Sequence, residues 1–413
     1  MQILKVHNYY KIRGGEDETQ EAETNLFQQM GHAVDVYKET NDRVATMGPA
    51  QMAIKTVWSR EAYTTVKHRF QTRKYDVMHV DNFFPLMSPS IYYAAKDAGV
   101  GVVQTLHNYR LLCPNALFFR EGKVCEDCLG QFIPWSGVKH GCYRESITAS
   151  AGVATMLTIH RMLQTWTKMV DRYITLTEFA RKKLIEGGLP ESKIVVKPHF
   201  ISPDPGIGSG EGGFALYVGR LSVEKGLDTL LAAWENCEVK LPLKIIGDGP
   251  LSSQVADFAE KLPHVEWLGR KPLAEVYDLM GEATALIFPS KWYETFGRVA
   301  IEAFAKGTPV IASNIGAIAE LVEPGRTGLH FQPGDAKDLA DKVEWIMSHP
   351  TQLAQMRREA RVEFESKYTA QKKIISNLWE NFIVKLNQIL CLILHYKYFS
   401  FYYYLKMKCI KSV

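Results

Sequence analysis

Short apolar runs alternate with amphipathic stretches along nearly the whole chain, a pattern that calls for strands buried on both faces and separated by crossover helices. In the first half the runs predict strands at 2–7, 33–37, 76–80, 101–106, 172–176 and 193–197. Helices are predicted near 17–30, 51–73, 88–98, 146–169 and 177–187. The second half repeats the rhythm, with strands at 214–218, 242–246, 264–268, 284–288, 309–312 and 328–331. Its helices fall near 226–236, 251–261, 272–280, 296–306, 315–321, 336–348 and 351–366. Between the halves, Pro198 to Pro205 and the glycine-rich Gly206 to Gly213 read as a linker. The expected fold class is α/β: two doubly wound Rossmann-like domains, 1–200 and 201–368, facing a cleft.

Composition narrows the function. At 413 residues with 46% hydrophobic and 23% charged positions, the chain can bury large cores. A net charge of +4 gives no footprint for nucleic acid. Met1-Gln2 runs straight into the first strand and the seven cysteines are unevenly spaced. Both features predict a reducing compartment, the cytoplasm or the inner face of a membrane.

The densest chemistry lies between 285 and 312. Ala285 to Phe288 reads as a strand, followed by a loop carrying Glu294, Thr295, Phe296 and Gly297, then an apolar helix that contains Glu302 and stops at Gly307-Thr308-Pro309. Free amides at that helix N-terminus attract phosphate, while carboxylates on either side accept hydrogen bonds from sugar hydroxyls. An isolated Glu-x7-Glu is more often a solvated helix face, but Glu302 sits on a helix apolar enough to be buried, so it needs a partner. Arg220 and Lys225, in Val-Gly-Arg-Leu-Ser-Val-Glu-Lys-Gly, follow the first strand of the second half. Cations at a helix start oppose its dipole, which favours a ligand there. With no Asp-x-Asp pair to hold a divalent ion, they are the groups able to neutralise a departing diphosphate. Gly247-Asp248-Gly249-Pro250 is a strand-to-helix turn whose glycines a turn alone would explain. Gly14-Gly15 opens the first helix, where it allows close backbone approach to a phosphate or acceptor and, joined to the second-half residues, reads as the opposite, donor-binding wall of the site; Gly-x-Gly-x-x-Gly is absent there, against a dinucleotide cofactor. His107 ends the strand at 101–106.

Residues 288–335, from Phe-Pro-Ser-Lys-Trp-Tyr-Glu through Gly325-Arg326-Thr327-Gly328 to Pro333-Gly334-Asp335, resemble the nucleotide-binding half of glycosyltransferase family 4. The resemblance covers roughly 1–385 and implies the GT-B fold, a retaining reaction and a helix at 369–388 that crosses back to the first domain. It places the donor diphosphate at Arg220 and Lys225, the nucleobase beside Gly247-Asp248-Gly249, and the donor sugar near His107. Arg270-Lys271-Pro272 is a weaker candidate for base contact. Glu302 is assigned to the ribose hydroxyls, Glu294 to the transferred sugar, and the backbone amides around Thr295, Phe296 and Gly297 to the distal phosphate. The expected partners are a nucleotide-diphosphate sugar and a glycan or lipid-linked acceptor of polysaccharide synthesis, with no cofactor needed for catalysis. A sugar-nucleotide epimerase or hydrolase of the same fold, and a silent nucleotide-sugar binding protein, are the alternatives.

Two segments stand apart. Cys113, Cys125, Cys128 and Cys142 lie in an insert at 113–142 with little periodicity; a structural zinc site and unliganded thiols are equal readings. The tail at 389–413, apolar and aromatic with interspersed lysines, is too interrupted for a spanning helix. It reads either as membrane-surface contact or as an extension without a selected role.

Overall fold

In the computed structural model, residues 1–11, 14–236 and 239–372 are described. The expected crossover helix, beyond its first residues, and the tail at 389–413 lie outside them. The first half holds six parallel strands: β1 (Gln2–Tyr9), β2 (Ala33–Thr40), β3 (Val77–Asn82), β4 (Gly101–Thr105) and, after an insert with the hairpin β5 (Phe119–Arg120) and β6 (Lys123–Val124), β7 (Arg172–Thr175) and β8 (Ile194–Val196). Their order is β2-β1-β3-β4-β7-β8. The second sheet comprises β9 (Ala215–Val218), β10 (Leu243–Ile246), β11 (Val265–Gly269), β12 (Ala285–Phe288), β13 (Val310–Ser313) and β14 (Gly328–Phe331), in the order β11-β10-β9-β12-β13-β14. Both sheets reverse direction beside their first strand, and ligands in open sheets bind outside the strand ends at such switch points.

Alternation within the apolar runs explains why β9 and β12 are central. Leu216, Leu286 and Phe288 join one core while Ala215, Tyr217, Ala285 and Ile287 join the core on the opposite face. A strand sealed on both faces needs apolar side chains of either parity.

The helix predicted over 51–73 is two, Pro49–Val57 and Arg60–Thr72, because Ser59 turns its hydroxyl to the amide of Ala62 and starts a new helix. The helix predicted over 146–169 ends at Met162, where Gln164 adopts φ 56° before a single further turn, Thr165–Lys168. The linker also differs from a free tether. Gly208, Gly210 and Gly212 donate backbone hydrogen bonds to Lys306, Gly281 and Glu282, and Arg357 donates to the carbonyls of Gly208 and Gly281. A side chain at Gly208 would lie 2.2 Å from the Gly281 backbone, so glycine there serves close packing rather than looseness. Asp204 completes the strap through a bidentate pair with Arg361. Beside it, the amide of Ile201 donates to the carbonyl of Tyr368.

Candidate active site

The loop between β12 and helix Arg298–Ala305 gathers most of the residues singled out from the sequence. Gly226 (φ 70°) presses so closely on Pro289 that a side chain there would meet its carbonyl oxygen at 1.8 Å. That corner sets Lys225 beside the loop, where its ammonium lies 2.6 Å from Glu294 Oε1. Ser290 Oγ at 2.8 Å and Trp292 Nε1 at 2.9 Å donate to the same oxygen. The ammonium also lies 5.4 Å from the centre of the Trp292 ring. Three donors therefore hold Oε1, and Oε2 of this buried glutamate has no hydrogen-bond partner among the described residues.

Glu302 repeats the arrangement. It is 5% exposed, and its Oε1 accepts from Arg298 Nε at 2.9 Å, one helical turn earlier, while Oε2 is left without a partner among the described residues. Burial raises its pKa against the pull of the Arg298 guanidinium. Arg298 was not singled out beforehand, although its i,i+4 spacing to Glu302 was the available signal. Its guanidinium reaches across to the first half, 3.4 Å from the carbonyl of Gly15 and 3.2 Å from Thr19 Oγ1. Gly14 caps the first helix, Gly15–Gln29, with its amide on Asp17 Oδ2 at 3.1 Å, and nothing lies within 4 Å of where a side chain would project.

Thr295 fastens the loop from the other side. Its hydroxyl donates to the carbonyl of His107 at 2.8 Å, and its own carbonyl accepts from Thr177 Oγ1 at 3.2 Å. Phe296 is buried edge-on against His199, which stacks on His107. Gly297 (φ 109°) caps helix Arg298–Ala305. Arg220 stands exposed on the loop after β9, and its side chain has no partner among the described residues. Behind that loop, Gly247 and Gly249 pack so tightly on the carbonyls of Gly219 and Leu221 that no side chain fits, which is the turn reading of these glycines. Asp248 turns its carboxylate onto Ser252 Oγ and the Gly249 amide, and those hydrogen bonds, with Ser252 foremost, lower its pKa.

Beneath His107 lies a buried ionic cluster invisible in the sequence. Lys5 on β1 is fully buried, with its ammonium 2.6 Å from both Glu23 Oε2 and Asp81 Oδ2, the latter without hydrogen-bond geometry, and 3.3 Å from His79 Nδ1. Burial opposes its charge, but Asp81 and Glu23 outweigh that and raise its pKa. Glu23, His79 and Asp81 have the spacing of a metal site, and the position among them is taken by this ammonium. Burial and the nearby Lys5 push the His79 imidazole down to about 4. His107 Nε2 lies 3.4 Å from Asp81 Oδ1; burial works against its protonation, yet Asp81 and Glu16 prevail and raise its pKa.

The four insert cysteines are free thiols. They lie near enough to influence one another, and burial together with the other three pushes Cys128 up to about 12. No three of their sulfurs are within 4.8 Å of one another, so they are not focused on a single point. No helix of the described residues is long and apolar enough to cross a membrane.

Comparison with known proteins shows the family and the fold. Residues 24–205 match the model of "Glycosyltransferase Family 4" and residues 207–363 that of "Glycosyl transferases group 1". An uncharacterized glycosyltransferase of Methanocaldococcus jannaschii is 30% identical over 207 residues, 50% of this chain and 57% of its own length. A glycogen synthase of Mycobacterium tuberculosis is 36% identical over 162 residues, 38% of this chain and 39% of its own. The chain thus spans little more than half, or less, of these relatives. Among solved structures, Anabaena HepE in complex with UDP-glucose superposes with a TM-score of 0.64 at 17% identity, covering 92% of this chain and 100% of that one. The sucrose-phosphate synthase from Thermosynechococcus elongatus reaches 0.69 at 18% identity, covering 93% and 99%. Both share the two-sheet fold.

Proposed function

The chain belongs to the family 4 glycosyltransferases of GT-B fold, and on that premise we propose that it transfers a sugar from a nucleotide-diphosphate donor to a glycan or lipid-linked acceptor. One observation carries the reading: Glu294 and Glu302 flank one helix N-terminus, each with one oxygen held by donors and the other without a partner among the described residues. Carboxylates fixed in this way accept hydrogen bonds from hydroxyls, Glu294 from the transferred sugar and Glu302 from the ribose. The phosphates between them meet the amides after Gly297 and the charges of Lys225 and Arg220. The UDP-glucose complex of the Anabaena neighbour supports a nucleotide sugar as the donor class.

In the transfer, the bond from the anomeric carbon to the diphosphate breaks and its electron pair leaves on the phosphate oxygen. The acceptor oxygen forms the new bond and gives up its proton to the departing phosphate oxygen. Charge builds on the leaving group, so the two cations stabilise the transition state more than the bound donor, which is what accelerates the step. Retention of anomeric configuration, metal independence, a role in polysaccharide synthesis, and action in the cytoplasm or at its membrane face belong to this proposal.

Screening uridine, guanosine and adenosine sugar nucleotides for thermal protection, then incubating the best donor with candidate glycan acceptors, tests it. A glycoside product with release of nucleoside diphosphate is expected. Free sugar or an epimer as the sole product would assign the site to the rival reactions, and no protection by any nucleotide would end the donor reading.

A further inference from the structure

Beside His107, on the first-half side of the loop, the protein encloses a cavity of about 220 Å³. Pockets for drug-sized ligands begin near about 300 Å³, so this one has room for a single small ring. Its floor is polar, formed by Asp81, Asn82 and Gln104 from the ends of β3 and β4. Its wall is built from Phe84, Arg110 and Tyr143.

Two features of the lining ask for a ligand. Gln104 is 3% exposed and its Oε1 has no hydrogen-bond partner among the described residues. A buried carbonyl-type oxygen left unpaired costs about 1–3 kcal/mol, which a hydroxyl entering the cavity would recover. The Arg110 guanidinium lies in the corner of two rings that meet edge to face, 4.4 Å from the centre of Phe84 and 5.0 Å from that of Tyr143. Its side chain bonds to the carbonyl of Pro114, and no carboxylate among the described residues lies within ion-pair distance of it. Aromatic faces orient a guanidinium but do not neutralise it, and arginine keeps its charge in proteins. Arg144, exposed and 5.4 Å from the centre of the Tyr143 ring, extends the positive wall towards solvent.

We propose that this cavity is the acceptor site, and that the acceptor is a polyhydroxylated sugar unit bearing an anionic group, phosphate or carboxylate, that docks on Arg110. The inference rests on the glycosyltransferase reading and specifies its second substrate. His107 belongs to the cavity lining and, through its carbonyl, to the donor loop, so an acceptor seated here adjoins the transferred sugar. The insert acquires a purpose as well. Arg110 lies three residues before Cys113, and Tyr143 and Arg144 directly follow Cys142, so the cysteine region connects the two sides of the charged wall.

Calorimetric titration of the full chain with glucose 1-phosphate, glucuronate and methyl α-glucoside tests the assignment. At least one anionic probe should bind tenfold or more tightly than the neutral glucoside, and which one does so distinguishes phosphate from carboxylate. Arg110→Gln should erase that preference, whereas Gln104→Leu should weaken all three probes alike and keep it. In the unmodified protein, inorganic phosphate should compete with the anionic probe, a readout that needs no variant. Equal affinity for the neutral and charged probes, a preference that survives Arg110→Gln, or no binding of any probe would overturn the proposal. Titration with UDP runs in parallel. Unchanged UDP affinity in both variants shows that the donor side is intact, and failure of UDP to bind the unmodified chain counts against the donor reading alone.

Discussion

Replacing Lys225 with alanine isolates the charge that the proposed mechanism uses most. At about 4 Å and an effective dielectric constant near 20, an ammonium and one unit of negative charge attract by ~4 kcal/mol. Part of that field is already committed to Glu294, 2.6 Å away, so the net gain on the leaving diphosphate is smaller. Loss of a single preorganised donor to a developing anion typically costs about 2.7–4 kcal/mol, a factor of 10² to 10³ in kcat. The fold should scarcely notice. Glu294 Oε1 keeps Ser290 and Trp292 as donors after the lysine is gone, so no carboxylate is orphaned. A stability loss of about 1 kcal/mol, a few degrees in Tm, is expected. Steady-state release of nucleoside diphosphate, measured beside a thermal melt, separates the two effects. A turnover within threefold of the parent would show that Lys225 does not face the leaving group. A collapse of Tm matching the loss of rate would make it a structural residue instead.

Three further outcomes follow from the same geometry. Arg298→Ala strands the buried Glu302 and should cost about 3 kcal/mol in urea denaturation, with Glu302→Gln added to it restoring part of the loss. Gly226→Ala, whose methyl would strike the Pro289 carbonyl, should cost at least about 2 kcal/mol and abolish transfer by moving Lys225, although it removes no chemical group; a fully active, stable variant would contradict that. His79 titrates near 6.5 when unfolded but is pushed down to about 4 in the fold. Between those values the unfolded chain binds the extra proton, so its contribution to stability is complete above 6.5 and is lost as pH falls towards 4. Unfolding free energies across that window should drop by up to about 3 kcal/mol, and His79→Gln should flatten the slope.

The sheets were readable because a strand sealed on both faces leaves an unmistakable apolar run, and all twelve strands expected in the two sheets are present. The broken helices were partly readable: Ser59 is a recognisable cap, whereas nothing about Gln164 announces a left-handed turn. The hairpin around Glu121-Gly122 also had its signal, a short turn-forming pair between two apolar-polar stretches. What the chain alone could not disclose is convergence. Lys5, His79 and Asp81 meet because β1 and β3 are neighbours, Glu23 joins them from helix Gly15–Gln29, and a lysine in an apolar strand looks like an edge position until its partners are known. In the same way the spacing of Glu294 and Glu302 suggested hydroxyl recognition, but not that Trp292 and Arg298 would each pin one carboxylate oxygen.

The strapped connector has a mechanical corollary. Since Asp204 to Gly212 travels with the second half as one piece, bending between the two halves is confined to the few residues before it, where Ile201 runs alongside Tyr368. So short a bend is a pivot rather than a leash: it permits rotation of one half against the other while resisting separation. Opening and shutting would then follow a single arc, bringing Gly15 and His107 back onto Arg298 and Thr295 in the same register on every cycle.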